Sequence, residues 1–260
     1  EMSVRFVKTP HLPEGKVGLL ALGGRYRDRL LGPLAEAGVE PLWLPDELRV
    51  DPRLAGHADL GLFHAGGARV VSSMPREPLR KLSDYGFEVL SAENEPGPYY
   101  PADAGLCGCL IGDYFIHDLR ITDRSVLGAL PEDVKRIGIR QGYAKCSICV
   151  VDKRSIITSD NGAARAAEAA GLDVLRIRPG FIELEGFEYG FIGGASFKLS
   201  RGEMAFTGRM DTHPDWDAIE HFLRCKGIEP VLLTEEVAFD IGSALPLTEA
   251  AEDEAHLIIN

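Results

Sequence analysis

Residues 140–160 read RQGYAKCSICVVDKRSIITSD, and the predicted fold is built outward from them. Residues 147–151 and 155–158 are two runs rich in β-branched side chains, separated by the polar residues 152–154. Runs of this kind around a short polar turn are typical of two antiparallel strands joined by a tight hairpin. The same stretch holds a reactive side chain, Cys146, directly before the first run.

A helix and a further strand are predicted after the hairpin. Asn161 opens an alanine-rich segment, for which Asp160 is a suitable N-terminal cap. Gly171 is the expected stop of this helix, and residues 173–177 have the composition of a strand. The sequence therefore predicts one structural unit in the order strand, strand, helix, strand.

The composition predicts a globular protein without nucleic-acid or membrane partners. The 260 residues are 45% hydrophobic, enough for a sizeable core, and the formal net charge of −12 opposes binding to phosphates. No apolar run reaches the roughly 18 residues of a membrane span, and the N-terminus lacks a basic segment followed by an apolar signal core. Five cysteines, an odd number, favour free thiols in a reducing compartment, so we expect a cytoplasmic protein. The oligomeric state stays open.

The same unit recurs along the chain, and its clearest marker is a glycine that ends a helix before a short apolar strand. Four such glycines are Gly38, Gly86, Gly171 and Gly227. The interval from Gly86 to Gly171 is 85 residues, close to twice the 48 between Gly38 and Gly86, which predicts a fifth unit between them. Coincidence is the alternative, because a glycine-capped helix before a strand is common in α/β proteins.

Five units are therefore predicted within a single domain that spans residues 1–260. Their approximate bounds are 16–50, 58–95, 104–140, 141–180 and 188–236, followed by a closing segment at 237–260. The first unit passes from its opening strand directly to a helix, so it is predicted to be abbreviated. The first strands of the other units are expected near a common axis. They open at Leu60, Gly108, Ser147 and Phe191.

Five units of this type resemble the α/β propeller of the guanidino-group-modifying enzymes, a pentein-like α/β fold with pseudo-five-fold symmetry. The group includes arginine deiminase, dimethylarginine dimethylaminohydrolase and the amidinotransferases. The segments QGYAKCS at 141–147, YGFIGG at 189–194 and DIGSALPL at 240–247 look most like an uncharacterised bacterial family with this fold. The resemblance rests on the order of the units more than on shared sequence.

This resemblance implies attack on a guanidinium carbon by a cysteine near the C-terminus, helped by a histidine from an earlier unit and by carboxylates. Here the corresponding segment contains Ser243 and no cysteine, and no base lies beside Ser243 in the sequence. The segments that correspond to the histidine begin at Lys145 and Ala195. The mechanism is therefore not transferred residue by residue.

Cys146 is the remaining candidate nucleophile. It stands where a loop enters the first strand of a unit, after the cations Arg140 and Lys145, which are expected to lower its pKa. The alternative interpretation is a buried structural thiol, since free cysteine packs as a small hydrophobic side chain.

A zinc site is a second alternative for the cysteines. Cys107, Cys109, Cys146 and Cys149 could supply four thiolates. Cys146 and Cys149 are three apart on a predicted strand and so face opposite sides, which argues against one shared ion. No metal and no cofactor is predicted.

Histidines and carboxylates near strand ends are candidate helpers. His64 and His117 are predicted as channel-facing acids or bases, and Asp240 as the catalytic carboxylate of the closing segment. Polar turn residues are the alternative for both histidines. The predicted substrate-binding residues are Asp113, Arg140, Lys145, Gly193, Gly194, Ser196 and Ser243. Asp240 and Ser243 are expected beside Gly193 and Gly194.

Two functions remain open at this point. The first is a cysteine-dependent hydrolase or transferase that acts on a guanidino, amidino or amide carbon of a small arginine-like molecule. The second is a non-catalytic protein that binds a small ligand and keeps the fold without the C-terminal nucleophile. Both predict a small-molecule partner.

Overall fold

A computed structural model describes residues 4–251 of the chain, which form seventeen β-strands and seven α-helices. The strands are β1 (Val4–Phe6), β2 (Leu19–Gly23), β3 (Glu40–Leu44), β4 (Leu62–Gly66), β5 (Arg69–Ser72), β6 (Glu88–Ser91), β7 (Cys109–Ile111), β8 (Tyr114–His117), β9 (Lys135–Gly138), β10 (Ile148–Asp152), β11 (Ser155–Thr158), β12 (Asp173–Arg176), β13 (Ser196–Ser200), β14 (Glu203–Phe206), β15 (Glu229–Leu232), β16 (Leu245–Pro246) and β17 (Thr248–Ala250). The helices are α1 (Arg27–Glu36), α2 (Ala58–Gly61), α3 (Arg80–Asp84), α4 (Arg124–Ala129), α5 (Ala144–Ser147), α6 (Asn161–Ala169) and α7 (Trp216–Arg224). The outer ends of the predicted domain 1–260 and of its closing segment 237–260 lie outside the described residues.

Five three-stranded sheets share one strand pattern. In each sheet the first and middle strands pair antiparallel, and the middle and third strands pair parallel. The sheets are β16-β2-β3, β4-β5-β6, β7-β8-β9, β10-β11-β12 and β13-β14-β15, here called units one to five. The chain thus has a mixed α/β fold, and the strand order within units two to five is the predicted one.

Local sequence explains the unit that contains residues 140–160. The hairpin β10–β11 pairs Ile148 with Thr158, and both strands are almost wholly buried. The Asp160 side chain accepts a hydrogen bond from the amide of Ala163 and so caps α6, as predicted. Gly171 has a φ of +83°, the left-handed conformation that ends a helix at low cost only for glycine. The prediction for this unit is confirmed.

Unit one is completed by the far end of the chain. The prediction that residues 16–50 contain no hairpin is correct, but the missing strand is supplied by β16, which pairs Leu245 with Ala21 and Pro246 with Leu20. Pro246 lacks an N–H group and is tolerated because β16 is an edge strand of its sheet. Unit one is therefore a complete sheet rather than an abbreviated one.

The two ends of the described chain are also joined. β1 pairs antiparallel with β17, and the amide of Val7 donates to the carbonyl of Leu247. The buried carboxylate of Glu249 accepts hydrogen bonds from Arg5 and from the amide of Gly15. The closing segment is thus held by two sheets and by a buried acceptor.

Several predicted first strands begin later than expected. Leu60 lies in α2 and Ser147 lies in α5, each a single helical turn before the strand. Residues 192–195 form a turn, so the first strand of unit five starts at Ser196 instead of Phe191. The start expected at Gly108 is within one residue of β7. Four-residue helical turns give no periodic signal, which is why the sequence did not reveal them.

Five apolar clusters pack between neighbouring units. Each cluster combines buried residues of two consecutive units, and one of them combines unit five with unit one. Representative members are Leu19 and Leu62 for units one and two, Phe63 and Leu110 for two and three, Ile111 and Val150 for three and four, Val151 and Met204 for four and five, and Leu199 and Leu20 for five and one. No helix within residues 4–251 is long and apolar enough to cross a membrane.

The strand that completes unit one should contribute measurably to stability. Leu245→Ala removes a side chain that is 2% exposed in the cluster between units one and two, so the free energy of unfolding should fall by about 2–5 kcal/mol. Leu48→Ala, at a side chain that is 86% exposed, is the matched control and should change it by less than about 0.5 kcal/mol. Urea denaturation measures both. Equal stabilities for the two variants would contradict this closure.

Candidate active site

Two helical turns bring Asp59 and Cys146 together. α2 and α5 directly precede the first strands of units two and four, and each turn is fully buried. Cys146 Sγ donates a hydrogen bond of 2.8 Å to Asp59 Oδ2, and the two residues are 3% and 2% exposed. Cys107 Sγ donates a hydrogen bond of 3.3 Å to the backbone carbonyl of Asp59. The predicted nucleophile therefore faces a carboxylate.

His57 is the third member of this cluster. One ligand atom from each of His57, Asp59 and Cys146 lies within 4.8 Å of the other two. His57 Nε2 and Asp59 Oδ1 are buried and have no hydrogen-bond partner among residues 4–251. Gly242 packs closely against His57, and a Cβ at position 242 would lie 2.1 Å from His57 Cβ. The closing segment thus fixes the position of His57.

Burial dominates the electrostatics of the cluster. It raises the pKa of Asp59 to about 7; the Cys146 hydrogen bond acts in the opposite direction, and the Asp240 charge adds to the increase. Burial also raises the pKa of Cys146 well above its usual value, and the charges of Asp59 and Asp240 raise it further. The pKa of His57 is lowered by burial. At neutral pH the thiol therefore keeps its proton.

The expectation that nearby cations lower the pKa of Cys146 is wrong. Arg140 is exposed. Lys145 Nζ donates to the carbonyl of Gly193 at 3.1 Å and to Ser243 Oγ at 3.3 Å. A residue that neighbours the cysteine in sequence thus directs its charge toward the closing segment, while two carboxylates from other units act on the thiol.

Asp240 links the closing segment to unit five. Its Oδ2 accepts from the amide of Phe191 and its Oδ1 from the amide of Gly242, both at 2.9 Å. A Cβ at Gly194 would lie 1.8 Å from Asp240 Oδ1, so this position requires glycine. Ser243 Oγ donates to the carbonyl of Gly193 at 3.2 Å. Asp240 and Ser243 are thus beside the two glycines, in the expected place.

Ser243 has a hydrogen-bond donor nearby in space that lies far away in the sequence. The Lys145 amine at 3.3 Å is the partner that the linear sequence did not reveal. Ser243 also has a φ of +68°, an uncommon conformation for a non-glycine residue. The chain therefore holds Ser243 tightly, with its hydroxyl between Lys145 and Gly193.

The two predicted histidines lie outside the cluster. Both ring nitrogens of His117 are occupied, by Thr122 Oγ1 at 2.7 Å and by the carbonyl of Gly142 at 2.8 Å. His64 Nε2 contacts the carbonyl of Gly67 at 2.9 Å, beside the β4–β5 turn. The hydrogen bonds of both histidines are thus made away from Cys146, and both residues lie in strands rather than in turns.

Other predicted site residues also lie outside the cluster of His57, Asp59 and Cys146. Asp113 is exposed in the turn after β7, whereas the cluster lies before the first strands of units two and four. The Ser196 hydroxyl donates to the carbonyl of Ile192 at 2.6 Å. Cys109 and Cys149 pack in different apolar clusters. Within residues 4–251, no metal-binding group combines the four thiols that the zinc alternative required.

Sequence reasoning missed His57, Asp59 and Tyr26. Comparison of the units could have found Asp59, because it precedes β4 by three residues, as Lys145 precedes β10. The Tyr26 ring centroid lies 6.5 Å from that of His57. Burial and the Asp240 charge raise the pKa of Tyr26, so its hydroxyl stays protonated.

A cleft of about 770 Å³ reaches this region from the surface, and Asp240 and Tyr26 line it. The other charged residues on its wall are Arg25, Arg29, Arg53, Glu183, Glu185 and Glu188. Arg25 and Arg53 are paired with Asp46 and Asp51. Asp240 thus joins an open cleft to the buried cluster.

Comparison with known proteins gives a family and a fold. The sequence profile of a family of unknown function, DUF6873, matches residues 21–245. No curated protein sequence matches the chain. Among solved structures, the inosamine-phosphate amidinotransferase of Streptomyces griseus has a TM-score of 0.58 at 11% identity, over 94% of this chain and 97% of its own.

Two further structures are similar over nearly the whole chain. SxtG, an amidinotransferase of the saxitoxin pathway in Microseira wollei, has a TM-score of 0.54 at 9% identity, over 93% of this chain and 97% of its own. A cysteine-to-serine variant of the C. jejuni agmatine deiminase with substrate bound also has a TM-score of 0.54 at 9% identity, over 94% and 96%. At such identities the likeness establishes the fold, and it is the fold of the guanidino-modifying enzymes that the sequence resembled.

Buried His64 should make the protein sensitive to acid. Burial lowers its pKa from 6.5 to about 4. The unfolded chain therefore binds this proton first as the pH falls, and stability is lost between pH 6.5 and 4, by about 2 kcal/mol from pH 7.5 to 5. In the variant His64→Gln, the part of this stability loss that comes from His64 should disappear. His221→Gln, at an exposed side chain, is the control and should show the same loss of stability as the unchanged protein. Urea denaturation at the two pH values is the measurement, and an unchanged pH dependence in His64→Gln would refute the assignment.

Proposed function

Because the chain belongs to the family of unknown function DUF6873 and has the fold of the guanidino-modifying enzymes, we propose that it is a cysteine-dependent hydrolase or transferase. Its substrate would be a small arginine-like molecule, attacked at a guanidino, amidino or amide carbon. The observation that carries the proposal is the buried hydrogen bond between Cys146 and Asp59, beside His57 and close to the carboxylate of Asp240.

Asp59, and not a cation, would activate the thiol. As Sγ bonds to the central carbon, the Sγ–H proton passes to Asp59 Oδ2 across the existing 2.8 Å hydrogen bond. The C–N bond to the leaving amine then breaks, and the same proton goes to that amine. Water, or an acceptor amine in a transferase, next attacks the same carbon and the C–S bond breaks. A proton of this second nucleophile then returns to Sγ by way of His57 and restores the thiol. His57 Nε2 has no hydrogen-bond partner in the described structure, so it is placed to take that proton from the second nucleophile.

Asp240 would bind the cationic end of the substrate. Its carboxylate is held by two backbone amides and lies on the wall of the cleft, which is large enough for a small molecule. Guanidinium and amidinium groups pair well with carboxylates, because parallel N–H groups match the two oxygens. Substrate would enter from the cleft past Tyr26 and Asp240 and so reach Cys146.

The arrangement of units supports a propeller with a central site. The clusters that join consecutive units, including unit five with unit one, favour five units around a pseudo-axis. In this proposal the five units form a single domain. The five free cysteines support a reducing compartment, and hence a cytoplasmic location.

A pair of alkylating reagents tests the proposed site. Chloroacetamidine carries the cationic amidinium that Asp240 would bind, and chloroacetamide is its neutral isostere; in both, Sγ displaces chloride. Cys146 should react at least about ten-fold faster with the cation, once labelling of exposed Cys225 corrects for reagent reactivity, because one ion pair of about 1.4 kcal/mol gives that factor. Asp240→Asn should remove the preference. Peptide mass spectrometry follows each cysteine.

The outcome separates the two functions that the sequence left open. Cys146→Ser should abolish ammonia or amine release from alkylguanidines while changing the free energy of unfolding by less than about 1 kcal/mol. Binding of a cationic ligand without labelling or turnover would instead support the non-catalytic binding protein. A large loss of stability in Cys146→Ser with no change in ligand binding would show that the thiol only packs the core.

A further inference from the structure

We propose that His57, Asp59 and Cys146 form a binding site for one divalent transition-metal ion of the zinc type. This inference goes beyond the proposed function, since it requires only the three side chains and no particular substrate. The three ligand atoms come from two units and lie within 4.8 Å of one another, in a fully buried place. It is the one such group in the part of the chain that the structure describes.

Two buried polar atoms of this cluster are available to bind a ligand. His57 Nε2 and Asp59 Oδ1 are buried and make no hydrogen bond within the described part of the chain. Their residues are 3% and 2% exposed. Buried polar atoms in folded proteins are nearly always paired, and leaving one unpaired costs roughly 1–3 kcal/mol. Two such atoms within one small cluster are explained together if an ion binds between them.

The geometry is within reach of a tetrahedral ion. Zinc bonds of about 2.0–2.3 Å to nitrogen, oxygen and sulfur set the ligand atoms roughly 3.5 Å apart. Cys146 Sγ and Asp59 Oδ2 are now 2.8 Å apart because they share a proton. Replacing that proton by an ion needs a separation larger by well under 1 Å, a movement that side-chain rotation can supply.

The donor set selects the class of metal. One imidazole nitrogen, one carboxylate oxygen and one thiolate sulfur suit zinc or cobalt, whereas magnesium and calcium prefer oxygen alone. Binding breaks the Cys146 S–H bond, forms a metal–sulfur bond and releases one proton to solvent. The thiolate and the Asp59 carboxylate then balance the double positive charge. The fourth tetrahedral position is left for water or a small ligand.

Metal binding and covalent chemistry would exclude each other at Cys146. Both use the same thiolate sulfur, which is less nucleophilic and less accessible to a carbon centre while it is bonded to the ion. A bound ion should therefore protect Cys146 from alkylation, and a chelator should restore its reactivity. This gives the site a readout that does not depend on turnover.

Cobalt(II) titration of full-length protein tests the site. The exposed pair Cys225 and His221 is a competing ligand set, with Sγ 3.4 Å from Nε2, so the reference protein carries Cys225→Ser. We expect one cobalt ion per chain, release of one proton, and a sulfur-to-cobalt charge-transfer band in the near ultraviolet. Zinc should displace the cobalt and remove the band, and magnesium should not.

Variants assign the band to the three side chains. Cys146→Ser in the Cys225→Ser background should abolish the charge-transfer band, and Asp59→Asn should weaken cobalt binding at least ten-fold. Zinc should also slow iodoacetamide labelling of Cys146 in the reference protein, a measurement that needs no variant at the site. A reference protein without the band, a band that persists in Cys146→Ser, or labelling unaffected by zinc would each overturn the metal site. Selective labelling by chloroacetamidine in metal-free protein would still report on the proposed function.

Discussion

The return of the closing segment to unit one is the constraint on which both the fold and the site depend. β16 completes the sheet of unit one, and the residues just before it supply the walls of the candidate site. The Asp240 carboxylate accepts hydrogen bonds from two backbone amides, and Gly242 packs against His57. The hydroxyl of Ser243 lies between Lys145 and Gly193. One short segment therefore closes the structure and removes the cluster from water. A change that loosens β16 would expose the site as well as weaken the fold.

Burial of the cluster is the largest influence on the pKa values of Asp59 and Cys146. Lys145 adjoins Cys146 in sequence, and a cation close to a thiol lowers its pKa in general. Here burial is the larger effect, and the carboxylates of Asp59 and Asp240 act in the same direction, so the pKa of Cys146 rises. The same burial raises the pKa of Asp59 to about 7, which makes it a suitable acceptor for the thiol proton near neutral pH. The thiol and the carboxylate are thus best treated as one pair that shares a proton.

The sequence predicted the features that local chemistry determines. The β-branched runs around residues 152–154, the cap at Asp160 and the stop at Gly171 all formed as expected, and the family resemblance placed Asp240 and Ser243 beside Gly193 and Gly194. It could not predict α2 and α5, because a single helical turn has no periodicity. For that reason the sequence gives no sign of the role of Asp59 in α2, whereas His64 and His117 lie in strands that it does predict. The pKa of Cys146 was also beyond reach, since burial and the direction of Lys145 are properties of the tertiary structure.

Asp59 of unit two and Cys146 of unit four act as one coupled pair. A double-mutant cycle with Asp59→Asn and Cys146→Ala measures this directly through the free energy of unfolding in urea. A hydrogen bond of a thiol to a buried carboxylate predicts a coupling free energy of about 1–3 kcal/mol, whereas Asp59→Asn combined with distant Cys225→Ala should be additive within about 0.5 kcal/mol. Additivity of Asp59→Asn and Cys146→Ala within the same limit would show that the two side chains are not coupled.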